Sequence, residues 1–327
     1  MRSDEVKVSV LCPTYNHAPY IRACLEGVLK QETDFKYEIL VHDDCSTDGT
    51  ADVVQEYADR YPERIRFIRQ TENQYSRGVD IVRDVLLPQS RGEYIAICEG
   101  DDYWTHPKKL QMQVPMLDTD ATVGMVYTYF NKFNESRQEM VSFRFHELEG
   151  NVYARSLACR DSIWYVTVLM RKSLMLQAPK LDSRRYFTGD IFWFNWIASR
   201  SQVKLLRECT AVHRILEVSM SHFKEKRRKI DFFFLSSNTR LYFATHYPPA
   251  EGKRSVRLVR KKSAVNCFKY ALAHADYSLC RELYIPLFPV MSLKKTLYAL
   301  IHRCCRSERS FMRMCERYDR HLSQAEK

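Results

Sequence analysis

Three carboxylates occupy four positions directly after a short apolar run in the first third of the chain. Residues 95–98 are apolar, and Glu99, Asp101 and Asp102 follow them. Negative charges packed this closely raise one another's pKa values unless a cation or water compensates them. Carboxylate oxygens are the ligands that Mg²⁺ and Mn²⁺ prefer, often together with the phosphates of a nucleotide. The spacing therefore indicates either a divalent-cation site with Asp101 at its mouth or a solvated acidic turn.

The residues around these carboxylates predict the elements that position them. The pattern predicts strands and helices that alternate, with strands at 8–12, 37–42, 65–69 and 95–98. Helices are predicted from 21, from within 46–50 with Ser46 or Thr47 as N-cap, and over 79–87. Such an alternation forms a mostly parallel α/β sheet with right-handed connections, so the polar residues after each strand meet at one edge. Ligands of open α/β sheets bind at that edge. We therefore expect the candidate residues to lie close together there.

Three motifs, in their order and spacing, resemble the family 2 glycosyltransferases, the large inverting group with the GT-A fold. They are residues 8–16, 38–50 and 92–102. The resemblance is strong to about residue 117 and looser to about residue 222, roughly the first two-thirds of the chain. It implies a GT-A catalytic domain over 1–222, with a mostly parallel central sheet flanked by helices. A basic, mainly helical C-terminal region is expected over 223–327.

The resemblance assigns the first two motifs to a nucleotide-sugar donor. Pro13, Thr14 and Tyr15 match the loop that lies against the base and ribose, where an aromatic ring stacks on a base for ~1–3 kcal/mol. An ordinary core aromatic is the alternative for Tyr15. Asp44 matches the carboxylate that accepts a hydrogen bond from the uracil ring, and Asp43 is expected to support the turn. Because the corresponding nitrogen of cytosine carries no hydrogen, Asp44 favours a UDP-sugar as donor.

The third motif corresponds to the metal- and ribose-binding DxD sequence of the family. The resemblance makes Asp101 the direct ligand of the Mg²⁺ or Mn²⁺ that bridges the diphosphate of the donor. Glu99 replaces the first Asp of the usual pattern, and its longer side chain is expected to reach a ribose hydroxyl or a metal-bound water. Asp102 is expected either to support this site or to cap the helix predicted over 107–117.

An inverting transfer needs a base that removes the proton of the acceptor hydroxyl. Asp190 is the candidate, because it is a lone carboxylate between Gly189 and an apolar, aromatic run. Partial desolvation raises the pKa of a carboxylate, which suits a base. Position alone equally allows a helix N-cap, and the resemblance favours the base. Asp182 is the second candidate, in more polar surroundings.

Two further segments are expected to bind substrate. Residues 162–171 predict a strand where the family binds acceptors, with Trp164 and Tyr165 either stacking on a sugar or packing in the core. Arg83 or Asp84 stands where the family often has Asn, which leaves a donor contact from this helix open.

Residues 212–222 resemble the mobile loop of the family, which closes on the diphosphate. The resemblance implies that Arg214 or His213 neutralises the charge of the leaving group. A solvated loop without this role is the alternative.

The basic residues that give the chain its net charge of +11 gather after about residue 222, where 23 of the 51 Lys and Arg lie. Helices are predicted over 232–247 and 264–283, and the apolar stretch 283–301 is broken by two prolines and two lysines, which makes it a poor membrane span. Peripheral contact with an anionic membrane fits this composition, and so do ordinary helices with solvated basic faces. No recognisable nucleic-acid module is present, so nucleic acid is not an expected partner.

Cysteine usage and the N-terminus bear on location. The chain has 11 cysteines, without a Cys-x-x-Cys pattern, and several lie inside apolar runs as small hydrophobes. Residues 1–5 lead into a strand without the apolar segment of a secretory leader. Both features predict a reducing cytoplasm, with the inner face of the membrane as a peripheral location.

Together these features predict a metal-dependent glycosyltransferase that moves a sugar from a UDP-sugar to a hydroxyl of a glycan or lipid-linked saccharide in envelope polysaccharide biosynthesis. A sugar nucleotidyltransferase is the first alternative, although it should carry a Gly-rich loop where this chain has residues 13–16. A non-catalytic, membrane-peripheral scaffold with the same sheet is the second. Intact Asp44, Asp101 and Asp190 favour the enzyme.

Overall fold

The computed structural model describes residues 5–143, 146–158, 163–217, 226–250, 252–281 and 307–324. The chain divides into two compact units. The first comprises Met1–Ser183 and Thr188–Ile215, and the second comprises Arg184–Phe187 and Leu216–Lys327. The boundary predicted after residue 222 lies within 218–225, outside the described residues.

A nine-stranded sheet forms the centre of the first unit. Its strands are β1 Val6–Thr14, β2 Lys36–Asp43, β3 Ile65–Arg69, β4 Tyr94–Ile97, β5 Tyr103–Trp104, β6 Val123–Asn134, β7 Glu139–Val141, β8 Leu169–Arg171 and β9 Gln202–Ile215. They lie in the order β3-β2-β1-β4-β8-β6-β9-β5, with β7 beside β6. The pairs among β1 to β4 and the long β6–β9 pair are parallel. The mostly parallel sheet predicted from the sequence is confirmed.

β1 lies between β2 and β4 and is buried on both faces. Val10 is opposite Ile39 of β2 and Ala96 of β4, and all three side chains are fully buried. Continuous apolar runs are typical of parallel strands covered on both sides. Because β1, β2 and β4 run in one direction, the polar residues that follow them lie at one edge of the sheet.

Six helices accompany the sheet in the described part of the first unit. They are α1 Ile21–Leu29, α2 Thr50–Arg60, α3 Lys109–Asp118, α4 Tyr153–Ala158, α5 Lys172–Leu176 and α6 Asp190–Ala198. α1 buries Ile21, Leu25 and Val28 against the sheet, the spacing of one helical face. The helices predicted to begin near 21 and 107 are confirmed. The helix predicted from within 46–50 begins at Thr50 with Gly49 as N-cap, so Ser46 and Thr47 do not cap it. The Ser46 hydroxyl is instead bonded to Asp43 and to the backbone N–H of Asn16.

The helix predicted over 79–87 is instead a six-residue π-type turn, Ile81–Leu86, followed by the 3₁₀ turn Leu87–Gln89. The Asp80 carboxylate accepts from the backbone N–H of Arg83 at 3.0 Å and caps the start of the first turn. Pro88 lies in the second turn and cannot continue a regular helix. The prediction of a helical segment was correct in place, but the Asp80 cap and Pro88 limit its length.

The strand predicted over 162–171 is wrong for most of its length. Tyr165–Thr167 is a 3₁₀ turn, and only Leu169–Arg171 forms a strand. The Thr167 hydroxyl donates to the carbonyl of Trp164 at 2.7 Å, a local bond that competes with strand pairing.

Three of the cysteines meet in the core behind β4. Cys24 of α1 has its Sγ 3.6 Å from the Sγ atoms of Cys12 and Cys98. All three are fully buried free thiols. They fill space as small hydrophobic side chains, as predicted.

The second unit contains the helices α7 Lys226–His246, α8 Lys253–Ala273 and α9 Glu308–Gln324. Phe234 of α7 stacks on Tyr270 of α8 at 3.9 Å between ring centroids. Ala264 and Ala271 of α8 share a small buried cluster with Phe311 of α9. The helix predicted over 232–247 begins earlier, at Lys226. The helix predicted over 264–283 begins at Lys253 and is interrupted after Ala273 by a turn at 274–276. The stretch 283–301 lies outside the described residues. Within the described helices, none combines the length and apolar character that crossing a bilayer requires.

Lys109 of α3 is fully buried in the first unit. Its ammonium donates to Gln113 Oε1 at 2.7 Å and to the carbonyl of Thr167 at 3.3 Å, and it lies 4.5 Å from the centre of the Trp104 ring. Burial lowers the pKa of Lys109 to about 7, because the charged form loses its hydration.

This buried lysine makes stability depend on pH. The pKa is 10.5 for an ordinary lysine and about 7 in the folded protein. Between these values the unfolded chain binds more protons, so the free energy of unfolding should rise as pH increases from 7 to 10. Lys109→Met should flatten this rise. Urea denaturation at several pH values measures it, with the exposed neighbour Lys108→Met as control. Equal slopes for wild type and Lys109→Met would contradict the assignment.

Candidate active site

The ends of β1, β2 and β4 are joined directly to one another. The backbone N–H of Gly100 donates to the carbonyl of Pro13 at 3.0 Å, and that of Asp44 donates to the carbonyl of Thr14 at 3.0 Å. A Cβ atom on Gly100 would lie 2.5 Å from Thr14 Oγ1. Only glycine permits this approach, so the loop after β1 lies against the acidic segment after β4.

Both aspartates after β2 hold turns in place. Asp43 accepts from the backbone N–H of Ser46 at 3.0 Å and from its hydroxyl, which confirms that it supports the turn. Asp44 is 4% exposed, and its two oxygens accept from the backbone N–H groups of Gln74 at 2.7 Å and Tyr75 at 3.0 Å. Each carboxylate oxygen has a second lone pair, so one further donor can be accepted.

Two exposed aromatic rings belong to the segments that Asp44 joins. Tyr15 follows Thr14 and is 45% exposed, and Tyr75 is 55% exposed. The core alternative for Tyr15 is therefore wrong. Tyr75 was not identified from the sequence, although the polar run 72–78 after β3 marked its segment as part of the ligand edge. Exposed rings beside a buried carboxylate can stack on a flat heteroaromatic ring.

The acidic segment after β4 gathers negative charge that the protein only partly compensates. Burial raises the pKa of Glu99 well above its ordinary value, and the negative charges of Asp101, Asp102 and Asp190 raise it further. Asp101 keeps 17% of its side chain exposed, with His17 Nε2 at 3.8 Å. No hydrogen bond joins the Glu99 or Asp101 carboxylate to another side chain or N–H in the described part of the chain.

This arrangement fits a divalent cation as far as charge and ligand type are concerned. Glu99 and Asp101 supply hard oxygen ligands where added positive charge would relieve their repulsion. Among the described residues no set of three or more His, Cys, Asp or Glu side chains is placed to hold an ion. Glu99 and Asp101 are only two ligands. The sequence analysis expects the diphosphate of the donor to supply further ligands to the ion.

Asp190 is the first residue of α6, and Gly189 holds the N-cap position. The N-cap alternative for Asp190 is therefore wrong. Its carboxylate lies close enough to the acidic segment to raise the pKa values of Glu99 and of Tyr165. Asp182 is exposed in the preceding loop. The structure thus brings Asp190 to the acidic cluster through an element remote in sequence.

Asp102 anchors the end of β9 rather than a helix. It is 2% exposed and accepts from the backbone N–H of Arg214 at 2.8 Å, while His213 Nδ1 lies 3.1 Å from both of its oxygens. Burial alone would lower the pKa of His213, but the charge of Asp102 and its hydrogen bond raise it. The N-cap of α3 is Lys108, so the capping alternative for Asp102 is wrong.

Arg214 lies beside the acidic segment. Its Nη1 donates to the carbonyl of Asp101 at 2.8 Å, and its Nε is 3.4 Å from Glu135. The guanidinium also covers the Tyr103 ring at 4.4 Å.

The loop expected over 212–222 is wrong for residues 212–215, which end β9 and pair with β6. This long-range pairing, together with Asp102, overrides the loop-like local sequence. Residues 218–222 lie outside the described part of the chain.

Arg83 is an inward-facing cation that the sequence left undecided. Its guanidinium lies over the rings of Phe192 and Trp193 at 4.6 and 4.9 Å, and Nη1 donates to the carbonyl of Pro179 at 2.5 Å. Its Nε and Nη2 are buried without a hydrogen-bond partner among the described residues. Asp84 instead forms an exposed ion pair with Lys180 at 3.0 Å.

Tyr165 is close enough to both Arg83 and the acidic cluster for their charges to affect its pKa. Burial raises its pKa well above the ordinary value, and the charges of Asp80, Asp190 and Glu99 act in the same direction, opposed by Arg83. Asp80 is a second residue that the sequence analysis missed, and its three-residue spacing from Arg83 was the available signal. Tyr165 is 8% exposed and packs edge-on against Phe194, so it belongs to the core.

Trp164, the other aromatic candidate, is half-buried. Its ring centre lies 4.3 Å from that of His213, and its indole N–H is without a hydrogen-bond partner among the described residues. Tyr165 thus belongs to the core, whereas Trp164 is partly exposed, with Lys132 Nζ, like the His213 ring centre, 4.3 Å from its ring centre.

Comparison with known sequences identifies the family of this chain. Residues 9–174 match the family model described as glycosyl transferase family 2. A glucosyltransferase of Escherichia coli, UDP-Glc:alpha-D-GlcNAc-diphosphoundecaprenol beta-1,3-glucosyltransferase WfgD, is 37% identical over 253 residues, 75% of this chain and 93% of that protein. An uncharacterized protein of Mycobacterium tuberculosis is 32% identical over 210 residues, 63% of this chain. The alignment spans 58% of the length of that mycobacterial relative.

Solved structures show the same fold at low sequence identity. Staphylococcus aureus TarS 1–349 in complex with UDP-GlcNAc superimposes with a TM-score of 0.63 at 18% identity, covering 97% of this chain and 92% of that chain. The mannosyltransferase PcManGT of Pyrobaculum calidifontis, in complex with GDP-Man and Mn²⁺, gives a TM-score of 0.56 at 18% identity, covering 96% and 87%. With a family match over half of its length, this chain belongs to glycosyltransferase family 2 and has the GT-A fold.

Proposed function

We propose that the protein transfers a sugar, with inversion, from a UDP-sugar to a hydroxyl of a glycan or lipid-linked saccharide in envelope polysaccharide biosynthesis. One observation carries the proposal: Glu99, Asp101 and Asp190 form a single electrostatic cluster at the ligand edge of the sheet. Their charges suit the chemistry of a departing nucleoside diphosphate and an incoming hydroxyl. The reducing cytoplasm, at the inner face of the membrane, is the proposed location.

The donor nucleotide occupies the edge formed by the loop after β1 and the turn after β2. Pro13, Thr14 and Tyr15 contact the base and ribose, and the spare acceptor capacity of Asp44 receives the uracil N–H. The exposed Tyr75 ring gives a second stacking surface beside Asp44. Uracil is favoured because its ring N–H can donate a hydrogen bond to the buried Asp44 carboxylate, and hydrogen bonds to charged acceptors are strong.

Asp101 and Glu99 are the residues that would hold Mg²⁺ or Mn²⁺. A bound divalent ion neutralises negative charge on the diphosphate leaving group. The PcManGT structure holds Mn²⁺ with a nucleotide-sugar, which supports the same requirement here. Arg214, fixed by the carbonyl of Asp101, adds a permanent positive charge on the same side of the cluster.

Asp190 is the proposed base. The acceptor hydroxyl oxygen bonds to the anomeric carbon while its proton passes to the Asp190 carboxylate. The bond from the anomeric carbon to the diphosphate oxygen breaks, and the electron pair leaves with UDP. Attack from the face opposite the nucleotide inverts the configuration. Trp164 is the candidate ring for stacking on the acceptor sugar.

The nature of the acceptor is inferred from the relatives. WfgD carries a diphosphoundecaprenol acceptor in its name, and TarS has been crystallised with UDP-GlcNAc. A hydroxyl of a lipid-linked saccharide is therefore the proposed acceptor class. The family match gives no support to the alternative of a sugar nucleotidyltransferase.

Removing the base should abolish transfer without weakening donor binding. Asp190→Asn keeps the shape of the side chain but cannot take a proton, so kcat should fall by roughly 10²–10⁴. UDP release from a panel of UDP-sugars with lipid-linked acceptors measures the rate, and calorimetry measures UDP affinity. Asp182→Asn tests the second candidate base, and the exposed Asp59→Asn on α2 is the control. A wild-type rate for Asp190→Asn would disprove Asp190 as the base. Absence of transfer by the wild-type protein with the whole panel would favour the non-catalytic scaffold.

Asp101 should couple UDP binding to the metal. Calorimetry with UDP, with and without Mn²⁺, should show tighter binding in the presence of the ion for the wild type. Asp101→Asn should lose about tenfold or more of that gain, equivalent to about 1.4 kcal/mol. Asp59→Asn, an exposed aspartate of α2, is the control. An undiminished Mn²⁺ effect in Asp101→Asn would rule out Asp101 as the ligand.

Asp44 should distinguish uracil from cytosine. A hydrogen bond to a charged group contributes about 1.5–3 kcal/mol, so UDP should bind about tenfold or more tightly than CDP. Asp44→Asn should narrow the ratio of the two dissociation constants, even where both increase, because an amide can donate to cytosine. Equal affinities of the wild-type protein for UDP and CDP would contradict this role of Asp44.

A further inference from the structure

The net excess of positive charge lies in the C-terminal third of the chain. Residues 216–327 contain 23 Lys and Arg against 10 Asp and Glu, a net charge of +13. Since the whole chain is +11, residues 1–215 carry a net charge of −2. The second unit therefore presents a field that attracts anions, while the first does not.

Five basic side chains form one face of the first half of α8, here termed the α8 basic face: Lys253, Arg254, Arg257, Arg260 and Lys261. The first four are exposed, and Lys261 is half-buried. At 3.6 residues per turn, these positions fall within a sector of roughly 120°. α8 contains no Asp or Glu, so nothing on the helix itself balances this charge.

None of the five takes part in an ion pair within the described residues. The α9 helix offers the contrast, because its exposed Arg309, Arg313 and Arg317 alternate with Glu308, Glu316 and Asp319. α9 has the balanced charge of an ordinary solvated helix face. The α8 basic face does not.

Helix stability does not account for the α8 basic face. Lys253 and Arg254 stand at the N-terminus of α8, where the helix dipole disfavours cations. Arg257 lies three or four residues from Lys253, Arg254, Arg260 and Lys261, and like charges at these spacings destabilise a helix. α8 carries these unfavourable interactions with no Asp or Glu of its own.

We propose that the α8 basic face docks on an anionic phospholipid surface. Lys and Arg side chains on one face of a helix are attracted to anionic headgroups. Leu258, 39% exposed at the border of the face, supplies an apolar side chain for the headgroup boundary. The choice of lipid over another polyanion rests on the proposed function, because a lipid-linked acceptor is held at a membrane.

Flotation of the full-length protein with lipid vesicles tests the proposal. The protein should bind vesicles of phosphatidylcholine with about 30 mol% phosphatidylglycerol and should not bind phosphatidylcholine alone. Binding should fall steeply between about 0.1 M and about 1 M NaCl, because salt screens exposed charges. Absence of binding to the anionic vesicles at low salt would overturn the proposal.

Two charge-matched variants separate the α8 basic face from net charge in general. Arg254→Gln, Arg257→Gln and Lys261→Gln combined should weaken vesicle binding about tenfold or more. Arg309→Gln, Arg313→Gln and Arg317→Gln on α9 remove the same charge and should change binding about twofold or less. Circular dichroism and UDP affinity confirm that both variants are folded. Equal losses in the two variants would show that the face has no special role.

Two further measurements identify which polyanion binds the α8 basic face and distinguish failure of this inference from failure of the proposed function. If a single-stranded oligonucleotide bound more tightly than the vesicles and displaced them, nucleic acid would be the partner and the proposal would be wrong. UDP binding with Mn²⁺ needs no membrane, so its absence in the wild type would refute the glycosyltransferase proposal alone. Normal UDP binding without vesicle binding would refute only the membrane proposal.

Discussion

The site depends on the repulsion among carboxylates brought to the end of one buried strand. Glu99, Asp101 and Asp102 follow β4. Asp190, the first residue of α6, is close enough for its charge to raise the pKa of Glu99. Like charges in a partly desolvated place are tolerated only when something compensates them. The protein compensates Asp102 through His213 and the Arg214 backbone, but it provides no such hydrogen bonds for Glu99 within the described residues. This difference distinguishes Asp102, which anchors β9, from Glu99 and Asp101, the residues proposed to hold the metal.

The same arrangement explains why the surrounding backbone is held so closely. Gly100 lets the segment after β4 touch the loop after β1, and Asp44 ties that loop to the turn that contains Tyr75. These bonds cross between strands that are far apart in sequence. A charge cluster works as a binding site only if its members cannot move apart to relieve their repulsion, and the short backbone contacts supply that restraint.

Charge is also divided between the two units. The first unit has almost balanced charge apart from its acidic cluster, and the second carries the whole positive excess. Within the first unit, Arg214 and Arg83 are two cations held at defined positions by backbone carbonyls and aromatic rings. Buried arginines of this kind stabilise anionic groups without attracting anions over the whole surface.

The sequence by itself determined the elements and much of the site. The apolar runs of β1 to β4, the turn at Asp43 and the motif ending in Asp102 are local patterns, and local patterns specify strands, turns and the edge where ligands bind. The predicted strands and their common edge are confirmed, because the carboxyl ends of neighbouring parallel strands necessarily lie at the same edge of a sheet.

Only the tertiary structure decided which side chains meet across long separations. The pairing of β9 with β6 turned the expected loop at 212–215 into a strand, and Asp102 lies 111 residues from His213. The burial of Arg83 against the α6 aromatic rings depends equally on packing. Local sequence carries no signal for such contacts, because their energy comes from desolvation and charge neighbours that exist only after the chain has folded.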